Sequence, residues 1–270
     1  MTIQRVNRGR SHAYVDSETG RRIPGVTTII SDGLPKPALI NWAADTTAEA
    51  AVDRWDELSK LPPSARLRAL KSARYAERDA AANRGTQVHA LAERLVAGEQ
   101  VAVPDGLEGH VRSYVRFLDD FGVRPVVTEG LVWSRQHDYC GTLDLIADLA
   151  DPDDPDARVR WLIDIKTNRS GVFGETALQL AAYRYADVLV IDGEELEMPE
   201  VERTGVVHVR ADGYDLVPVE AGELQHRQFL YVAQVAAFQA MSRDLIGEPV
   251  LSPTTSRYEL TRVEADEVPF

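Results

Sequence analysis

Hydrophobic positions along the chain follow two different periods, and the change falls near Gly122. The first 34 residues predict a hairpin: "SHAYVD", a turn at "SETG", then "RRIPGVTTII". "LPKP" breaks the chain before a helix predicted over about Ala38 to Leu58. "LPPS" (61–64) breaks it again, with Ser64 placed to cap the next helix. That long helix is expected over about Ala65 to Val96, with Gly85 as a point of division, and another from Gly106 to Phe121 ended by Gly122. Beyond it, "RPVVTEGLVWSR" and "YCGTLDLIADL" flank the short polar turn "QHD" and predict a second hairpin. The acidic stretch "DPDDPDA" (151–157) leads into a third strand, "RVRWLIDIKT". "GETALQLAAYRYADVLV" predicts a helix with Leu178, Ala181, Ala182, Tyr185 and Leu189 on one stripe. "IDGEELEMPEVE" (191–202) reads as a solvated loop, "TGVVHVRA" and "YDLVPVE" as strands, and "GELQHRQFLYVAQVAAFQAM" as a last long helix. There is no internal repeat. This order predicts an α/β core with a helical N-terminal portion and a helical tail.

One strand breaks its own pattern. In "RWLIDIKTNRSG" (160–171), Asp164 and Lys166 interrupt an apolar run. Burying a charge is costly unless it is paired or bound. Side chains alternate faces along a strand, so Ile163 and Ile165 point one way while Leu162, Asp164 and Lys166 point the other. Positions i and i+2 lie roughly 6.5–7 Å apart. The acid and the ammonium can therefore act on one object; an ion pair at a solvated strand end is the competing reading. Asp144 interrupts the preceding strand in the same way. Alternation there sets Thr142, Asp144 and Ile146 against Leu143, Leu145 and Ala147. Antiparallel pairing of the two strands would lay Asp144 beside Asp164. Two carboxylates so placed need a cation between them or a proton on one. A hard divalent ion suits oxygen ligands, and a neighbouring lysine can orient a water or neutralise a phosphoryl oxygen.

Charge adds a constraint. The net charge of −13 argues against a general nucleic-acid coat protein, but residues 54–84 hold eight Lys or Arg against four acids. Arg68, Lys71, Arg74 and Arg78 fall within about a third of a helix circumference, although Leu67 intrudes on that arc. With Arg84 further along, they form a candidate DNA-binding face; a solvated helix face is the alternative. Hydrophobic content of 44% and charged content of 27% are ordinary for a globular chain. Cys140 is the single cysteine, which excludes an intrachain disulfide and an iron–sulfur cluster held by this chain alone. No apolar run approaches the roughly 20 residues of a membrane span, and "MTIQRVNRGR" lacks a signal-peptide core. A cytoplasmic protein is expected.

The ordered set carries a resemblance. "GTLD" followed by "DIK" is similar to the signature of PD-(D/E)XK nucleases, with Asp164 where many members have Glu. "QLAAY" resembles the Q-x-x-x-Y element of the RecB-like branch, and "RGTQVHALAE" resembles the helix carrying that branch's histidine, here His89. The order also resembles that of many phage exonucleases and covers about residues 84 to 186. The N-terminal "HAY…IPGVTTII…LPKPALINWAA" is a looser likeness.

This resemblance implies a restriction-endonuclease-like core: a central mixed sheet flanked by helices, in a single nuclease domain over 1–270. Residues 1–64 would be an N-terminal elaboration, 65–220 the catalytic core and 221–270 a helix and tail. It implies that Asp144, Asp164 and the backbone carbonyl of Ile165 bind Mg²⁺ or Mn²⁺, with His89 completing the shell; an imidazole favours Mn²⁺. Lys166 would act on the water nucleophile. Gln179 and Tyr183 would hold the DNA backbone or the scissile phosphate. Glu129 is a further candidate ligand, against the reading of a strand-end carboxylate. Glu93, one turn after His89, is a candidate to orient that ring, against a plain helix contact. The lone Cys140 departs from the iron–sulfur members. The chain has no GxxxxGK[ST], so no ATP is expected by that route. The implied activity is a metal-dependent DNA exonuclease acting on free ends in recombination, repair or end processing. An oligomer, a single-strand annealing protein or a helicase would be its partners, with no membrane. An endonuclease and a non-catalytic nucleic-acid-binding module are the alternatives.

Overall fold

The structure, a computed structural model, describes residues 2–8, 11–154, 156–168 and 170–250; side chains of 8, 11 and 76–81 also lie outside the description. The chain begins with β1 (Ile3–Arg8), β2 (Ser11–Asp16) and β3 (Arg22–Ile23), a small antiparallel sheet. Four helices come next: α1 (Val26–Gly33), α2 (Pro37–Asp53), α3 (Trp55–Leu58) and α4 (Pro63–Val96). α5 (Glu108–Asp120) precedes β4 (Arg124–Thr128), β5 (Leu131–Ser134), β6 (Tyr139–Thr142), β7 (Leu145–Ala150) and β8 (Arg158–Lys166). Then come α6 (Glu175–Arg184), β9 (Val188–Ile191), β10 (Glu194–Leu196), β11 (Arg203–Val209), β12 (Tyr214–Pro218) and α7 (Glu223–Met241).

The central sheet is mixed, in the order β12-β11-β8-β7-β4, with β8 and β11 parallel and the other neighbours antiparallel. Its faces are packed separately. Val127, Ile146 and Leu162 meet α1, α6 and α7 through Ile29, Ile30, Leu180 and Phe229. Leu145, Ala147, Ile163 and Ile165 meet α4 and α5 through Ala92, Tyr114 and Phe117. The fold is thus α/β with helices on both faces. The alternation expected of residues 160–167 holds: Ile163 and Ile165 share one core, Leu162 the other.

The second predicted hairpin forms, but it is creased. Its outer halves, β4 and β7, join the central sheet, while β5 and β6 join a second sheet, β10-β9-β5-β6. The crease runs through Glu129–Gly130 on one strand and Leu143–Asp144 on the other. Glu129 adopts a positive φ of 50° there. Two backbone bonds hold it: the Glu129 N–H to the Asp144 carbonyl at 3.0 Å and the Leu143 N–H to the Gly130 carbonyl at 2.9 Å. Alternation is therefore interrupted, and Leu143 packs in the core of Ile146 rather than that of Leu145 and Ala147.

Four other expectations need correction. "VTTII" is not a returning strand but most of α1, whose buried Val26, Ile29, Ile30 and Gly33 follow helical spacing. The helix after Gly174 stops at Arg184, and Val188–Ile191 is a buried strand, because β5 offers it an antiparallel partner. The loop expected over 191–202 contains a hairpin: Asp192 and Gly193 both take positive φ, 52° and 84°, and β10 pairs with β9. Gly85 does not divide α4.

Candidate functional site

The crease faces the end of β8. Continuing the β7–β8 register one step beyond Leu145↔Ile163 sets Asp144 opposite Asp164. Asp144 is fixed by the N–H of Ile165, which donates to its Oδ2 at 2.7 Å. A residue's N–H and C=O leave an antiparallel strand on the same side, so the Ile165 carbonyl also leaves toward Asp144. α4 brings His89, whose Nδ1 lies 3.5 Å from Asp144 Oδ1. The positive φ of Glu129 turns its carboxylate to the same place. One ligand atom from each of His89, Glu129 and Asp144 lies within 4.8 Å of the others.

Asp164 stands outside that trio. Its side chain is 3% exposed, and Lys166 Nζ lies 3.1 Å from Oδ1, a hydrogen bond, and 2.8 Å from Oδ2, an ion contact without hydrogen-bond geometry. Gln179 Nε2 donates to Asp164 Oδ1 at 2.8 Å and to the Tyr183 hydroxyl at 3.3 Å. Gln179 and Tyr183 thus reach the site through Asp164. Tyr183 is buried, and its ring lies so close to Gly141 that a Cβ there would fall 2.5 Å from Cε1. The glycine of "GTLD" and the tyrosine of "QLAAY" are therefore one packing unit.

The charges respond to one another. Burial pushes the His89 imidazole down, but the hydrogen bond and charge of Asp144, with Asp164 and Glu129 behind it, outweigh burial and raise it to about 9. Glu129 is raised to about 7 by burial and then by the negative charge of Asp144. Asp164 is raised to about 6, again mainly by burial. Asp144 is held below the usual carboxylate range because His89 and the Ile165 N–H outweigh its desolvation. Lys166 stays charged: Asp164 more than offsets its burial.

These groups line a cavity of about 430 Å³ that also includes Arg5, His12, Tyr14, Thr86 and Glu93. The N-terminal sheet supplies the first three, a contribution that sequence reasoning did not assign. The Tyr14 hydroxyl lies 3.1 Å from Thr142 Oγ1, and Arg5 lies 3.9 Å from Glu129 Oε2. On α4, Arg68 and Lys71 are exposed and Arg84 is half-buried. Arg74 donates to the Tyr75 hydroxyl at 2.8 Å and stacks on that ring. The Arg78 side chain lies outside the described residues. No helix among the described residues is long and apolar enough to cross a membrane. No protein-family model matches the chain, and no curated protein matches it.

The donor set fits a hard or borderline divalent cation. It offers two or three carboxylates and one imidazole, and Asp164 Oδ2 is buried without a hydrogen bond. Among the described residues, His89 and Lys166 supply the positive charge that balances the facing acids.

Proposed function

We propose that the chain is a metal-dependent deoxyribonuclease of the PD-(D/E)XK superfamily, RecB-like branch, hydrolysing DNA phosphodiester bonds from free ends. One observation carries the reading: two carboxylates face each other across a β ladder, with a lysine beside one and a histidine beside the other, in a cavity open to solvent. His89, Glu129, Asp144 and the Ile165 carbonyl would hold Mn²⁺ or Mg²⁺, with Asp164 completing the set. When bound, the cation lowers the pKa of a coordinated water and offsets charge on the non-bridging oxygens.

The protein's own residues do the rest. Lys166, charged and one-third exposed, aligns the attacking water and faces the developing phosphoryl charge. Gln179 holds Asp164 at fixed orientation, and Tyr183 holds Gln179. Arg68 and Lys71 offer phosphate contacts away from the site, so binding should weaken with added salt. The deciding experiment is hydrolysis of end-labelled linear DNA and of covalently closed circular DNA with Mn²⁺, Mg²⁺ or EDTA. Degradation of linear DNA only, abolished by EDTA, is expected. Cutting of the circle would make the chain an endonuclease. Retention of DNA without hydrolysis under every metal would leave a binding module and end the nuclease reading.

A further inference from the structure

α7 is apolar on both sides. Its inner side packs Phe229, Val232, Ala233 and Ala236 against α1 and α6. Its outer side presents Leu224, Tyr231, Val235, Phe238 and Met241, each 45–65% exposed, and the 3₁₀ turn after it (Ser242–Leu245) adds Leu245. Leu224, Tyr231, Phe238 and Leu245 recur every seven residues. A seven-residue apolar repeat is the pattern of a helix seam.

Charge and register together identify the occupant. Residues 228–242 contain no Asp, Glu, Lys or Arg, in a chain that is 27% charged with a net charge of −13. Two such acidic molecules repel each other over most of their surfaces, but not here. An antiparallel pairing centred between Gln234 and Val235 lays Tyr231 against Phe238 of the second copy and Leu224 against its Leu245, so the seam is complementary to itself. Aromatic side chains carry about 150–250 Å² each. Half-exposed groups along this length then present on the order of 600 Å² per copy, near the roughly 800 Å² that each side of a stable interface buries. We propose that α7 is an isologous dimer interface, packing antiparallel on α7 of a second copy about a two-fold axis near Val235. This rests on the helix surface alone and is independent of the chemistry assigned to the cavity.

Sedimentation velocity of the full chain should give twice its 29.9 kDa mass. Tyr231→Glu with Phe238→Glu should give the monomer, with helix content by circular dichroism unchanged. Val235→Cys provides a second measurement that leaves the seam intact. Cys140 is buried, so mild oxidation should link most of the Val235→Cys protein into a disulfide dimer, while wild type and Glu197→Cys stay unlinked. A wild-type monomer at tens of micromolar, or a Val235→Cys protein that does not link, would overturn the proposal.

Discussion

Along the ladder of β7 and β8 two pairs of charged positions face each other, and the two crossings behave oppositely. At one, Asp148 faces Arg160, and the guanidinium closes on the carboxylate at 2.8 and 3.1 Å. Each partner is about one-third exposed, and the hydrogen bond from Arg160 holds Asp148 below the ordinary carboxylate range. Nothing more is required of that pair. Four residues earlier in the chain, Asp144 faces Asp164, an acid against an acid, with both nearly out of solvent. Here the neutralising charges come from the side, from Lys166 and His89. The same ladder thus builds a closed ion pair and an open, repulsive one. The difference lies in whether the opposite residue supplies the countercharge or leaves it to a ligand.

The comparison breaks most sharply in activity. Lys166→Ala or Asp144→Asn should lower cleavage more than a hundredfold, about 3 kcal/mol or more of barrier, while DNA retention changes little. Asp148→Asn should leave the rate within about twofold. Protons give the next largest effect. His89 titrates at about 9 in the folded chain against 6.5 ordinarily. A proton bound more tightly in the fold stabilises it fully below pH 6.5, and that contribution is lost as pH climbs toward 9. The metal-free protein should lose on the order of 3 kcal/mol across this window in urea unfolding, and His89→Gln should flatten the loss. Glu129, raised to about 7, acts in the same direction: stability falls as pH rises from its ordinary 4.5 through 7. Both signs describe a site stabilised by protons, in the place where the proposed function would put a divalent cation.

Metal then sharpens the contrast. Mn²⁺ at about 100 times its Kd should add roughly 2.7 kcal/mol to wild type. That gain should vanish in Asp144→Asn and survive in Asp148→Asn, read as thermal midpoints with and without the ion. The smallest effect belongs to the closed pair itself. Asp148→Asn should cost about 0.5–1 kcal/mol, as partly exposed ion pairs do, with no dependence on metal.

Much of the site was legible because it depends on local geometry. Alternation along β8 alone put Asp164 and Lys166 on one face, and antiparallel pairing alone put Asp144 opposite Asp164. What escaped was tertiary. Arg5, His12 and Tyr14 sit far upstream with no spacing that ties them to the cavity. The β-branched run "VTTII" suits a strand by propensity, yet the cover that α6 and α7 give to Val26, Ile29 and Ile30 makes it a helix. The Asp192–Gly193 turn was written in the chain but hidden among the acids of 191–202. The crease at Glu129 was invisible, since no pattern shows which half of a long hairpin belongs to which sheet.

That crease also sets the order in which the centre depends on the rest of the molecule. Glu129 and Asp144 are 15 positions apart and Asp144 and Asp164 are 20, so hairpin closure alone aligns the acids. His89 arrives from 55 positions before Asp144, on a helix that must dock as a whole. Closing the longer loop costs more entropy, and the imidazole stays in place only while α4 stays docked. Loosening α4 would therefore strip the imidazole away first and leave the carboxylates in place, a graded disassembly of the centre.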